Sequence, residues 1–241
     1  MSDTISHSLD LVIPVFNEAE NIEAVLREIE AKLRMPHLIN VVFDSEQDNT
    51  LPVLRRWQES HNNVILHRNR YGKGVLNAIR TGLESASGEV VLVVMADLSD
   101  DLDDVAQMFL MAQQGYDIVC GSRYMQGGKQ IGGPLLKSYL SRLAGISLHY
   151  LTGLPTRDAT NSFKMYRRKI LETFPIESQG GFELGFELLV KAWASGFRII
   201  EIPTVWRDRQ HGRSRFKLWR WMPAYLRWYW FAFRHRLYSR C

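Results

Sequence analysis

The sequence predicts an α/β fold, with a mostly parallel sheet flanked by helices on both faces and a C-terminal segment of different character. Three observations carry this expectation. Short, near-continuous apolar runs recur through the first half, separated by stretches with apolar residues at helical spacing. The runs lack the polar–apolar alternation of half-exposed strands, as strands buried on both faces do. From Val205 onward the chain holds ten Lys or Arg against one acid, Asp208, and five of its seven Trp.

Residues 9–16 form the first apolar run, and residues 19–33 then set Ile22, Val25, Leu26, Ile29 and Leu33 on one helical face. A strand over 38–43 and a helix over 50–59 follow. Next come a strand over 64–66 and a helix over 73–86, which opens in Gly72-Lys73-Gly74. The very apolar run 90–95 ends where Asp97 begins an acidic loop, and a helix over 104–114 leads to a strand over 117–121. Strands alternating with helices imply parallel pairing, with right-handed crossovers that bring the strand C-termini to one edge. The second half is less regular. The glycine-rich stretch 127–134 is expected to be a mobile loop, before an amphipathic helix over 135–151 and a turn region over 153–160. A helix over 182–195 and a last strand over 197–206, with Pro203 near its end, complete the body, and Pro223 is expected to break the tail. No repeat or low-complexity linker divides the chain. Residues 1–215 therefore read as one domain, and 216–241 as a segment for a membrane surface or for packing on the body.

The chain has 241 residues, 46% hydrophobic and 23% charged, which suits a globular protein with a sizeable core. Cys120 and Cys241 are the only cysteines and have no metal-ligand spacing. A disulfide framework or structural zinc site is not expected, and a reducing compartment is. Residues 1–10 are polar and do not resemble a signal peptide, and no run of about 18 apolar residues predicts a membrane span. The net charge of +4 divides into +9 on the tail and −5 on the rest. Such a tail implies an anionic surface as partner. Trp219, Trp221, Trp228, Tyr229, Trp230 and Phe231, interleaved with Arg220, Arg227, Arg234 and Arg236, suit the headgroup level of a bilayer. No motif points to nucleic acid.

Ligands of open α/β sheets bind at the carboxyl ends of the strands. Glu18 follows the first strand, Asp44 and Asp48 the second, and Asp97 the fourth. Carboxylates there can accept from base N–H groups and ribose hydroxyls, and can bind the hard divalent ion, Mg²⁺ or Mn²⁺, that offsets a diphosphate. Asp48 and Asp101 also read as helix N-caps.

These segments, in this order, resemble family-2 glycosyltransferases of the GT-A (Rossmann-like) fold, and within them the dolichol-phosphate mannose synthases and related polyprenyl-phosphate glycosyltransferases. Ile13-Pro14-Val15-Phe16-Asn17-Glu18 resembles the opening strand and nucleotide-binding turn, and Tyr71-Gly72-Lys73-Gly74 the K-G-x-G region. Ala96-Asp97-Leu98-Ser99 resembles the D-x-D segment, and Gly121-Ser122-Arg123-Tyr124 the G-x-R-Y segment. The stretch from Asp158-Ala159-Thr160-Asn161 through Tyr166-Arg167, then Glu201-Ile202-Pro203, and finally Asp208-Arg209 with Gly212-Arg213-Ser214-Arg215 complete the set.

The resemblance implies inverting transfer of a sugar from a nucleoside-diphosphate sugar to a membrane polyprenyl phosphate, by a cytoplasmic protein held peripherally at the inner face of the membrane. Pro14, Phe16, Glu18, Val42 and Asp44 would hold base and ribose. Ala96, Asp97 and Ser99 would line the diphosphate, with Asp97 the metal ligand. Arg123, Arg209 and Arg215 would meet phosphate, since guanidinium forks pair with its oxygens. A phosphate acceptor is already a nucleophilic dianion near neutrality. A hydroxyl acceptor would need a base, for which Asp158 and Glu187 are the candidates. Transfer to a saccharide hydroxyl, or a nucleotide-sugar-binding partner subunit without turnover, are the alternatives.

The chain departs from the family in three places. Met95 stands where the first acid of D-x-D is usual, and a thioether is a poor ligand for a hard ion. Phe43-Asp44-Ser45-Glu46 replaces D-D-G-S, and Arg215 replaces a Lys. A metal would then rest on Asp97, the donor phosphates and water, with Asp100 or Asp101 as candidate replacements for the absent acid.

Overall fold

The computed structural model describes residues 9–209 and 218–238. Its main sheet has seven strands in the order β3-β2-β1-β4-β7-β5-β8. These are β1 (Leu9–Val15), β2 (His37–Phe43), β3 (Val64–Arg68), β4 (Val90–Val93), β5 (Ile118–Ser122), β7 (Lys164–Arg167) and β8 (Ile199–Pro203). All neighbouring pairs are parallel except those of β7, which runs antiparallel to both β4 and β5. The helices are α1 (Ile22–Lys32), α2 (Leu51–Gln58), α3 (Val75–Ser85), α4 (Val105–Gln113), α5 (Leu135–Thr152), α6 (Arg168–Thr173), α7 (Leu184–Ala194) and α8 (Leu218–Tyr238).

Alternation along β1 divides the core in two. Leu9, Leu11, Ile13 and Val15 face a cluster containing Ile22, Leu26 and Ile29 of α1 and Leu54 of α2. Val12 faces the other cluster, with Leu76, Ile79 and Leu83 of α3 and Leu188 and Leu189 of α7. Gly82 is the point of closest approach, since a Cβ there would lie 2.3 Å from Val12 Cγ1. Asp10 is buried within this apolar strand because its carboxylate accepts from the Gly88 amide at 3.0 Å, closing the turn before β4.

Three expectations need correction. The stretch 127–134 contains β6 (Lys129–Ile131), which pairs in parallel with β9 (Val205–Arg207), while Gly127, Gly132 and Gly133 turn the chain at positive φ. The single last strand is two strands, divided at Thr204. Its amide bonds to the Ser122 carbonyl in the main sheet, and its carbonyl accepts from Lys129 in the small one. Pro223 lies inside α8 without ending it. Trp221 packs edge-on to Phe182 and Tyr225 stacks on Phe186, so both sides of the proline are held to the body. α8 is also seated by Trp228 and Ala232, both buried, against α5 and α7.

Candidate active site

The loops after β1, β2, β4 and β5 meet at one edge of the sheet, as parallel connectivity dictates. After β1 the backbone turns at Asn17, a non-glycine residue with φ 57°. The Asp48 carboxylate holds that turn by accepting from the Asn17 amide at 3.0 Å and the Thr50 amide at 2.9 Å. Thr50, not Asp48, is the N-cap residue of α2, so Asp48 ties two loops together. Asp101 does cap, accepting from the Asp103 amide at the 3₁₀ turn Leu102–Asp104. Asp44 accepts from Asn69 Nδ2 at 2.8 Å and from the Gly74 amide at 3.0 Å, which fixes the entry to α3.

After β4, Asp97 is 8% exposed. One of its oxygens accepts from the Ser99 amide at 3.2 Å, and the other from Arg209 Nη2 at 2.7 Å. Arg209 Nη1 also lies 3.8 Å from Glu18. Asp100 turns its carboxylate inward to the Met95 amide at 3.1 Å. Burial pushes its pKa up to about 7, with the Asp97 charge adding to the effect and the Met95 bond opposing it.

After β5, Arg123 and Asp158 form a buried bidentate pair with contacts of 2.7 and 2.8 Å, and the Arg123 amide donates to the same carboxylate. Arg123 also donates to Ser141 of α5 and lies over the Tyr124 ring. Burial disfavours its charge, but the Asp158 carboxylate more than offsets this and raises its pKa. Lys137 of α5 is shifted down by burial and by the nearby Arg123 and Arg209 charges.

These residues surround one cavity of about 740 Å³. Pro14, Phe16, Glu18, Asp44, Asp97 and Ser99, from β1 and the loops after β1, β2 and β4, line it together with Met95. Arg123, Lys137 and Arg209 lie on its wall. Leu140 and Leu143 of α5, Phe186 of α7, and Tyr225 and Leu226 of α8 supply apolar lining. Val42 and Ala96, by contrast, are core residues that do not line the cavity. Arg215 lies outside the described residues.

Neither carboxylate expected as a base stands free in the cavity. Asp158 is fully buried and engaged with Arg123. Glu187 is fully buried too, accepting from the Glu177 and Ser178 amides and from Lys191. Asp158 instead holds Arg123 in place, and Glu187 holds the backbone at residues 177–178. The sequence reading missed Lys137, Ser141 and the aromatic wall. An isolated Lys in the first turn of an amphipathic helix was the only available signal for Lys137.

With this geometry in place, a profile of the family described as "Glycosyl transferase family 2" matches residues 10–174. The chain belongs to glycosyl transferase family 2. A dolichol-phosphate mannosyltransferase of Pyrococcus furiosus is 27% identical over 87% of this chain and 59% of its own length. An undecaprenyl-phosphate 4-deoxy-4-formamido-L-arabinose transferase of Pseudomonas fluorescens is 29% identical over 87% of this chain and 60% of its own. The chain thus spans about three fifths of the length of these two relatives. Among solved structures, a mannosyltransferase from Pyrobaculum calidifontis in complex with GDP-Man and Mn²⁺ superposes with a TM-score of 0.63. It is 22% identical, covering 94% of this chain and 64% of that one. The fold is that of the GT-A glycosyltransferases.

Mn²⁺ accompanies the nucleotide sugar in that neighbour, so the donor set here has to be compared with what such an ion needs. Mn²⁺ and Mg²⁺ take several hard oxygen ligands. Met95 offers a thioether, Asp97 is paired with Arg209, and Asp100 is turned away to the Met95 amide. Among the described residues no group of three or more His, Cys, Asp or Glu is placed to hold a metal. These side chains do not fit a resident divalent ion.

Proposed function

We propose that this chain transfers a sugar from a nucleoside-diphosphate sugar to a polyprenyl phosphate at a membrane surface. The observation that carries this is the lining of a single cavity, which brings together the carboxylates Glu18, Asp44 and Asp97, the cations Arg123, Lys137 and Arg209, and apolar side chains of α5, α7 and α8. A nucleotide sugar suits the carboxylates and cations. A phosphate carrying a long hydrocarbon suits the cations and the apolar side chains.

The chemistry is an in-line displacement. An acceptor phosphate oxygen forms the new bond to the anomeric carbon as the bond to the donor diphosphate breaks. The departing oxygen keeps the electron pair, so the sugar configuration inverts. A phosphate dianion has no proton to lose at this step, in keeping with the engagement of Asp158 and Glu187 elsewhere. Cations placed before the charge develops stabilise it without reorganising. The names of the relatives, which include dolichol and undecaprenyl phosphate, support the acceptor class. Residues 1–215 would form the catalytic unit, and 216–241, with α5, its contact with lipid at the inner face of the membrane.

The test is a panel of UDP- and GDP-sugars against polyprenyl phosphate, free saccharides and water, with products identified by mass. A polyprenyl-phosphate sugar is expected from at least one donor. Product on saccharide hydroxyls alone would overturn the lipid acceptor, and nucleotide binding without any turnover would point to a partner subunit.

A further inference from the structure

We infer that Arg209 takes the place of a divalent ion at the donor diphosphate, so that nucleotide binding and sugar transfer by this chain require no metal. The inference rests on the donor-site reading above and concerns how that site neutralises charge.

A hard cation bridging protein and diphosphate must find oxygen ligands on the protein side. At this site the nearest acid in sequence has been replaced by Met95, whose sulfur is too soft for the task. Asp97 remains, but its oxygens are committed to the Ser99 amide and to Arg209. Asp100 is 7% exposed and its carboxylate closes the loop on the Met95 amide, so recruiting it would open that loop. One carboxylate, itself paired with a guanidinium, is thus left on the protein side, where an ion shared with a diphosphate takes one or two.

Arg209 places a fixed positive charge at this point. Its guanidinium is permanently charged and sits on Asp97 at 2.7 Å with 20% of the side chain exposed, on the wall of the cavity. A guanidinium has five N–H donors in a planar fork, so Nη2 can stay on Asp97 while Nη1, which lies 3.8 Å from Glu18, exchanges that carboxylate for a phosphate oxygen. Asp97 then acts as a positioning residue, holding the fork at the diphosphate. Lys137 adds a second charge from α5 on the same wall. The carboxylate–cation–diphosphate bridge of a metal site is thereby built with a side chain as the cation.

Calorimetric titration of the full chain with UDP and GDP, once in excess EDTA and once in Mn²⁺, tests this without any acceptor. The dissociation constants are expected to agree within about threefold, and transfer in the same two media to proceed at similar rates. Tightening by Mn²⁺ of tenfold or more, or transfer that stops in EDTA, would overturn the inference and leave the donor-site reading standing. Absence of binding in both media would instead overturn that reading, and this inference with it. Two variants address cause. Arg209→Ala should weaken UDP or GDP binding by tenfold or more while leaving UMP or GMP binding within about twofold. An equal loss for mono- and diphosphate would mark a merely structural residue and count against the inference. Met95→Asp restores a second carboxylate and should make nucleotide binding respond to Mn²⁺ by tenfold or more. Indifference of that variant to Mn²⁺ would show that the missing acid is not the reason, and would overturn the argument.

Discussion

Arg123 and Asp158 show how one residue pair serves structure and site together. The pair is sealed, with Arg123 10% exposed and Asp158 fully buried, and its guanidinium reaches the cavity wall. Removing one partner of a buried pair strands the other charge, at a cost of about 3–5 kcal/mol. Asp158→Ala is therefore expected to lower stability by about that amount in urea melts. The double substitution Arg123→Met with Asp158→Leu should recover much of the stability but none of the turnover, which separates the two roles. Asp100 gives a prediction in pH. Its carboxyl is raised to about 7 in the fold, so the neutral form is the one the structure favours. Its contribution is complete below the ordinary carboxylate range and is lost as pH rises through about 7. Asp100→Asn keeps an acceptor for the Met95 amide and removes the titration. The melting temperature of this variant relative to the parent should rise between pH 4 and pH 7 and level off above, as read by thermal melts across that range.

At the scale of elements, legibility in the sequence followed burial. β1, β2 and β4 are apolar because both faces are covered, and their positions were plain from the runs alone. β7 was not legible. Its sequence, Lys-Met-Tyr-Arg, looks like a surface turn, yet Lys164 is fully buried with its ammonium donating to the Ala159 and Asn161 carbonyls. β6 was hidden for a different reason, since three residues form a strand only when β9, far along the chain, comes to pair with them. Individual site residues could be picked out by motif, but their pairings could not. Asp97 meets Arg209 across 112 positions, and Arg123 meets Asp158 across 35. The α5 wall of the cavity depends on an equally non-local contact. A Cβ on Gly145 of α5 would lie 2.1 Å from the Arg157 carbonyl oxygen, which is backbone and cannot swing aside. Gly145→Ala is expected to cost about 1–3 kcal/mol and to displace α5 from the loop that carries Asp158. Transfer should fall further than nucleotide binding, because Leu140, Leu143 and Ser141 move with the helix while the β1 and β2 loops do not.

At the scale of the molecule, the cavity combines two unlike linings, one of carboxylates and cations and one of apolar side chains from α5, α7 and α8. Leu143 and Leu226, which line the cavity, are themselves 52% and 57% exposed, so its apolar lining reaches solvent there. Leu135, Leu136 and Tyr139 of α5 and Trp230 and Leu237 of α8 are exposed as well, on two helices that pack against each other. No helix of the described residues is long and apolar enough to cross a membrane, so contact with a bilayer would be made by these two helices lying against it. Arg220 and Arg234 are exposed on α8, and Arg227 is 56% exposed beside Glu177, giving the same region the charge to meet anionic headgroups. Each such basic residue contributes about 1 kcal/mol near an anionic leaflet, and less as salt screens it. A hydrocarbon-linked phosphate could then pass from the bilayer into the cavity without crossing water. Leu136→Ser, Tyr139→Ser and Trp230→Ser combined remove apolar area from the two helices without touching the donor site. Co-sedimentation with vesicles containing phosphatidylglycerol should fall by tenfold or more, and transfer to vesicle-borne polyprenyl phosphate should fall with it. UDP or GDP binding should stay within twofold of the parent. Unchanged co-sedimentation of this variant, or parent binding to phosphatidylcholine vesicles as strong as to anionic ones, would rule out these helices as the docking surface.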